Sequence, residues 1–335
     1  MKSPALDVDE EGGRSRAAVS DRLRSVTRKY ATLIGLLVVV LLFTVLKPKV
    51  FLTIGNVRGI LVAVAVLGVA AIGQTVVFAL NDFDLSVGSV ADLSGTVVAS
   101  LIVFHHLPWP VAIAVGLLIG CACGAVNGFF VAYVNLNPFV VTLGTLTSFA
   151  GLSYLYNHSV AISGFSKGFL EIGNGRIGPV PVSVIVLAVV AFIAFWVMER
   201  TTIGRRWYAV GGNYDASYLA GVRVRRLRFL AFVACGGCAA LAGMVVASQL
   251  SISTATSGDY LMLQSLAAVF LGMTAFKESM ANIAGTVVGV LFLGVMVDGM
   301  AIQYVNSYVQ QIVTGVVVIG SVALARIVRR QRGER

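Results

Sequence analysis

The sequence predicts an all-α polytopic membrane protein with about ten transmembrane helices and both termini cytoplasmic, on three observations. First, 58% of its 335 residues are hydrophobic and only 12% are charged, about half the roughly 25% charge of an ordinary soluble domain. A mean hydropathy of +0.90 exceeds what one compact core and its wetted surface use. Second, the apolar residues form near-continuous runs, as over 33–46 and 182–197, without the two-residue alternation of barrel strands, so the spans are helical. Third, the basic residues segregate between alternate loops. Only 4 Cys, 7 Pro and 36 Gly without a triplet period exclude disulfide-scaffold and collagen-like chains.

A helix crosses the hydrocarbon with roughly 20 mostly apolar residues. On that basis the spans fall at 30–46, 59–80, 85–104, 110–134, 138–156, 179–198, 229–250, 260–276, 282–303 and 307–327. Before them, residues 1–29 carry Asp7, Asp9, Glu10 and Glu11, then Arg14, Arg16, Arg22, Arg24, Arg28 and Lys29. Such a stretch buries too little apolar surface to fold alone and has no signal-peptide pattern, so a disordered, retained cytoplasmic tail is expected. Residues 30–327 then form the membrane domain, with a long inner loop at 199–228 and a basic cytoplasmic tail at 328–335.

With the amino terminus inside, the inner segments hold 20 of the 25 Lys and Arg residues, and the outer ones hold only Lys47, Lys49, Arg58, Lys167 and Arg176. That is the positive-inside pattern. It also accounts for the net charge of +10, which points to membrane topology and anionic lipid and not to nucleic acid.

Several motifs lack the context their chemistry needs. Gly173, Gly175 and Gly178 have dinucleotide-loop spacing, but they follow no strand and run into Pro179 and Pro181, so a flexible outer loop is expected. No GxxxxGK[ST] phosphate loop occurs; if nucleotide hydrolysis powers this protein, another chain performs it. Cys121 with Cys123 and Cys235 with Cys238 lie among Gly and Ala within apolar spans, where small residues serve helix contact; no metal site and no cofactor is expected. His105 and His106 sit at a membrane border beside Pro108 and Trp109.

Other features carry more. Gly116, Gly120, Gly124 and Gly128 recur every fourth residue along one helix face, and Gly285 with Gly289 is a shorter version. Close backbone approach is their expected use, within the chain or to a second copy. Asn81, Asp82, Phe83 and Asp84 interrupt the apolar pattern between the second and third spans. The break reads either as a short inner turn or as irregular backbone lining a path, since such backbone is tolerated in a membrane only against water or protein. Asp92 shares a small, polar stripe with Ser89 and Thr96, and Asp298 lies deep in the ninth span.

In the inner loop Asn213 is a cap residue, Asp215 suits the positive first turn and Gly221 suits a left-handed stop. They predict a helix over 214–220, too short to be stable alone in water. Its small apolar face of Ala216, Leu219 and Ala220, with Tyr218 beside them, should pack either at the membrane interface as a loop helix or against a soluble partner as a docking helix.

The run 84–89 (DLSVGS), the stretch 124–128 (GAVNG) leading to 137–145 (NPFVVTLGT), and Thr201 with Gly204 and Arg205 before 208–213 (YAVGGN) resemble, in order and spacing, the ribose-type permeases of bacterial ABC importers. The resemblance covers about 59–320. It implies a multi-pass subunit of the bacterial cytoplasmic (inner) membrane, without an ATPase site of its own. The implied partners are a second permease copy or a paired permease, cytoplasmic ABC ATPase subunits, and a periplasmic or lipid-anchored solute-binding protein. It makes Gly211, Gly212, Asn213, Asp215, Ala216, Leu219 and Gly221 the coupling element. Asp82, Asp84, Ser86, Ser89, Asp92 and Asn127 become candidates for the solute path. Asn81 and Asp82 stand where that family usually has a glycine pair, Asp92 where a small apolar residue is usual, and 273–279 where a glycine-rich stretch is expected. The added carboxylates suit a polyol, an amino sugar or a cationic solute. Two other readings remain open at this stage: an ion- or proton-coupled secondary transporter using these acids, and an integral membrane enzyme.

Overall fold

The computed structural model describes residues 30–276 and 280–330. The amino-terminal tail, residues 277–279 and the end of the basic tail lie outside the described residues. Among the described residues the chain forms thirteen helices, and each predicted span coincides with one of them. They are α1 (Ala31–Leu46), α2 (Ile54–Phe78), α3 (Val87–Val103), α4 (Trp109–Ala132), α5 (Pro138–Asn157), α6 (Lys167–Asn174), α7 (Val182–Arg200), α8 (Thr202–Gly212), α9 (Tyr214–Leu219), α10 (Val224–Leu250), α11 (Asp259–Gly272), α12 (Ile283–Ile302) and α13 (Ser307–Arg330). Helices α2, α4, α5, α7, α10 and α12 are long and apolar enough to cross a membrane, whereas α1, α3, α11 and α13 carry shorter apolar segments.

Helices α2 and α10 form the centre. A helix that is apolar on every side belongs in a core, and α2 is buried from Val64 to Val77. Helix α10 packs on α2, α3 and α4. Helix α7 instead turns Phe192, Ile193 and Trp196 outward, as a lipid-facing helix would. The glycine stripe of α4 works within the chain. Gly120 and Gly124 lie so close to Gly236, Ala240 and Phe232 of α10 that a Cβ has no room, Gly128 abuts Phe229, and Gly116 abuts Met244 and Val98. Gly285 and Gly289 likewise receive Gly272 and Ala268 of α11. Lipid provides no hydrophobic drive for helix pairing, so this close contact supplies it.

Two helices in the loops were not predicted. Helix α8 lies in the 199–228 loop just before α9, and α6 lies in the loop between α5 and α7. The flexible glycine loop is corrected by the structure: Gly173 is buried against Ser248 and Gln249, its N–H bonds Ser248 Oγ at 2.7 Å, and Gly178 makes the turn of a hairpin pairing β2 (Arg176–Ile177) with β3 (Val180–Pro181). A helix packed on α10 through a glycine is ordered whatever its composition. Helix α13 runs on to Arg330, past the predicted span end and into the tail region.

The chain after α10 re-enters the bundle. Gly243 of α10 lies against Ala91 of α3, and the helix then climbs seven residues to Leu250, about 10 Å at the helical rise. Gly258 touches Ala91 again, and its carbonyl meets Gly88, so residues 251–258 have descended by a similar distance. This segment is rich in hydroxyls (Ser251, Ser253, Thr254, Thr256, Ser257). Its strand β4 (Ile252–Ser253) pairs antiparallel with β1 (Ile162–Ser163), placing Ile162 opposite Ser253. Helix α11 therefore starts inside the bundle beside α3 and needs only 14 residues.

Candidate functional site: the inner loop and the helix break

The inner loop is built outward from the ends of α7 and α10. Thr201 Oγ1 accepts the Gly204 N–H at 3.4 Å and starts α8. Trp207 is buried there and donates from its indole to Leu227 O at 3.0 Å, while Tyr208 donates to Glu199 at 3.3 Å. Burial, then the neighbouring Glu199 carboxylate, push the Tyr208 phenol well above its ordinary range, so it remains a donor at physiological pH.

Asn213 is extended, and its side chain accepts the Ala216 N–H at 2.9 Å, forming the expected cap; Gly221 is left-handed at φ +78°. Helix α9 ends one residue earlier than predicted. Its Ser217 is buried, whereas Leu219 is 85% exposed and Asp215, Ala216 and Tyr218 also face outward. The helix is held by its packing and presents an apolar knob at the surface. The Asn213→Ala variant is expected to lose about 1 kcal/mol at the cap; faster amide exchange confined to α9 is the measurement.

The part of this loop that carries α9 is fastened at both ends, Gly211 and Arg228, to the break between α2 and α3. At one end Asn81, itself left-handed at φ +59°, donates to Gly211 O, and Gly211 lies too close to Ala79 O for any side chain. At the other end Arg228 forks onto Asp82, with Nε to Oδ2 at 2.7 Å and Nη2 to Oδ1 at 2.8 Å, and its Nη1 donates to Val131 O at 3.3 Å. The two side chains are only 12% and 8% exposed, and such bidentate pairs are both strong and directional.

Deeper in the bundle, Asp84 accepts the Ser86 N–H at 2.8 Å and the Ser86 hydroxyl at 2.6 Å, and Asn127 reaches its oxygens at 3.3 and 3.4 Å. Asn127 also donates to Ser86 Oγ at 2.8 Å. Gln74 of α2 brackets the Asp84 backbone, donating to its carbonyl and accepting its N–H at 3.3 Å. All four residues are buried, and a carboxylate within a membrane bundle persists only with partners of this kind.

The remaining candidates lie apart. Ser89 donates to Ser86 O at 2.9 Å. Asp92 accepts the Gly258 N–H at 2.6 Å, and its second oxygen has no partner. Thr96 meets Ser153 at 3.2 Å and Ser253 at 3.5 Å. Asp298 accepts from Asn56 at 2.9 Å, where α2 begins. The structure thus gathers Asp84, Ser86 and Asn127, and joins Asp82 to the inner loop.

Sequence reasoning missed Gln74, Arg228 and the role of Asn81. For Gln74 a signal existed, because it and Thr75 are the only polar side chains over 59–80, and a lone amide in an apolar span needs a partner. The cysteines are free thiols seated at helix contacts, with Gly237 against Cys121 and Gly73 against Cys238. Among the described residues no group of three His, Cys, Asp or Glu is placed to hold a metal.

A multi-pass apolar bundle, broken by a buried polar segment that is tied to a surface loop, has the architecture of a transport permease. The chain belongs to the family described as branched-chain amino acid transport system / permease component, whose model matches residues 56–322. It is 36% identical over 304 residues to the ribose import permease protein RbsC of Bacillus subtilis (strain 168), covering 90% of this chain and 94% of that one. The D-allose transport system permease protein AlsC of Escherichia coli (strain K12) is 33% identical over 302 residues, or 90% of this chain and 93% of its own. The L-arabinose ABC transporter permease protein AraH of Azospirillum brasilense is 32% identical over 299 residues, 88% of each. No solved structure matches the chain.

Proposed function

We propose that this chain is the membrane-spanning permease subunit of an ATP-driven importer for a monosaccharide or related polar solute, in the cytoplasmic (inner) membrane of a bacterium. It crosses the membrane ten times with both ends inside. It pairs with a second permease, docks cytoplasmic ATPase subunits through α9, and receives solute from a periplasmic or lipid-anchored binding protein. The sugar-permease relatives support the solute class.

One observation carries the coupling role: α9 exposes Leu219 at the surface, while the part of the loop that carries it is fastened at both ends, Gly211 and Arg228, to the buried break at 79–84. A displacement of α9 by the ATPase subunits is then passed to the start of α3 and to the Asp84, Ser86 and Asn127 cluster. Access changes only as far as nucleotide favours one conformation over the other.

Of the acids an ion-coupled alternative would use, Asp82, Asp84 and Asp298 are engaged by Arg228, by Ser86 with Asn127, and by Asn56, whereas Asp92 keeps one oxygen unpartnered, so the energy source separates the two readings. The test is uptake from a panel of pentoses, hexoses and polyols into proteoliposomes holding the permease with its ATPase and binding protein. Uptake should require ATP and survive an uncoupler. Collapse with the uncoupler at constant ATP overturns the reading. An Asp215→Arg, Leu219→Asp double variant should reach the membrane yet lose the co-purifying ATPase; unchanged co-purification removes α9 from the docking role.

A further inference from the structure

Between α11, α12 and α13 lies a cavity of about 800 Å³, in the size range of small-molecule sites. On its α13 wall Ser307, Gln310, Gln311 and Thr314 fall on one face at helical spacing, and the wall continues as apolar surface at Gly315, Val318 and Ile319. The α11 wall adds Asp259, Tyr260 and Gln264. Away from it, α13 is apolar, with Ile312 and Val316 exposed at 66% and 63%. A membrane helix that concentrates its amides and hydroxyls on one side needs water, solute or protein there.

The cavity stands at the point where the re-entrant segment ends and α11 begins. Irregular, hydroxyl-rich backbone running into a bundle is tolerated where it borders a wet space. Asp92, 3% exposed, lies behind Gly258 with one oxygen unpartnered. Among the described residues Asp259 is the only charged one lining the cavity. Its carboxylate accepts from hydroxyls, the three glutamines donate and accept, and the Tyr260 ring offers a face for C–H groups. Among the described lining residues no cation balances an anion.

We infer that this cavity is a solute subsite of the permease for polyhydroxylated solutes, and that Asp259 determines its specificity, admitting neutral or cationic solutes and repelling anionic ones. The inference rests on the permease reading and adds the place and the charge selection.

The test uses the full chain with its four cysteines replaced by alanine, carrying Thr314→Cys, Gln311→Cys or, on the apolar face, Val316→Cys. Intact cells are exposed to hydrophilic thiosulfonates of opposite charge, one a quaternary ammonium and one a sulfonate. Cysteines at 311 and 314 should react, and the one at 316 should not. The cationic reagent should react about tenfold faster, as expected from one carboxylate in a partly wet site. Asp259→Asn should bring the two rates together, and Asp259→Glu should preserve the difference. Silence at 311 and 314 means that the cavity is closed by a second copy or by lipid and overturns the subsite. Equal rates for the two charges overturn the role of Asp259. ATP-dependent uptake is assayed in parallel. Unreactive cysteines with intact ATP-driven uptake refute the subsite alone, whereas loss of the ATP requirement with labelling intact refutes the permease reading alone.

Discussion

Replacing Arg228 with alanine is expected to destabilise the permease by about 3 kcal/mol, because it strips a bidentate partner from a carboxylate that protein has already taken out of water. The pair is 12% and 8% exposed, which places the loss at the low end of the range for a fully buried pair. A thermal melt in detergent reads it. The double variant Asp82→Asn, Arg228→Gln should recover most of the loss, since it removes both charges together. Arg228→Lys should fall between, because an ammonium keeps the charge and loses the fork.

Stability is half of this prediction. Arg228 closes the inner loop onto the break from the α10 side, as Gly211 does from the α8 side. In the assembled transporter, Arg228→Ala should therefore hydrolyse ATP while moving less solute per ATP. A variant that melts like the wild type and keeps the wild-type ratio would remove the pair from the coupling route.

Gly120→Leu is expected to be the most damaging single change on the α4 face. Even a methyl at this position collides with Gly236 O and Ala240 Cβ, and these belong to a helix that cannot retreat without leaving α2 and α3. Overpacking ordinarily costs about 1–3 kcal/mol. Here the obstacle is backbone, so a value at or above the top of that range is expected, with little folded protein recovered from the membrane. The control is Gly144→Leu in α5, where nothing lies within 4 Å. Loss of folded protein at 120 with none at 144 supports close packing as the cause, and equal behaviour of the two refutes it.

The sequence was most informative where chemistry acts locally. Spans were readable because crossing hydrocarbon requires length and apolarity, and the four-residue glycine period because a helix turns at 3.6 residues. The cap at Asn213 and the stop at Gly221 were readable because caps are settled within one turn. The partner of the glycine stripe was not readable, since packing within the chain and packing against a second copy use the same small residues; α10 decides it.

What the amino-acid order determined alone was therefore the membrane as solvent, the places of the long apolar helices, and the short capped helix after Asn213. The tertiary structure decided how distant residues pair: Asp82 with Arg228 across 146 positions and Asp92 with Gly258 across 166. It also decided that the chain after Leu250 turns back into the bundle, and that the polar side of α13 faces a cavity. Local propensity and burial are encoded over a few neighbouring residues, whereas partners and cavities exist only once separate helices have been brought against each other.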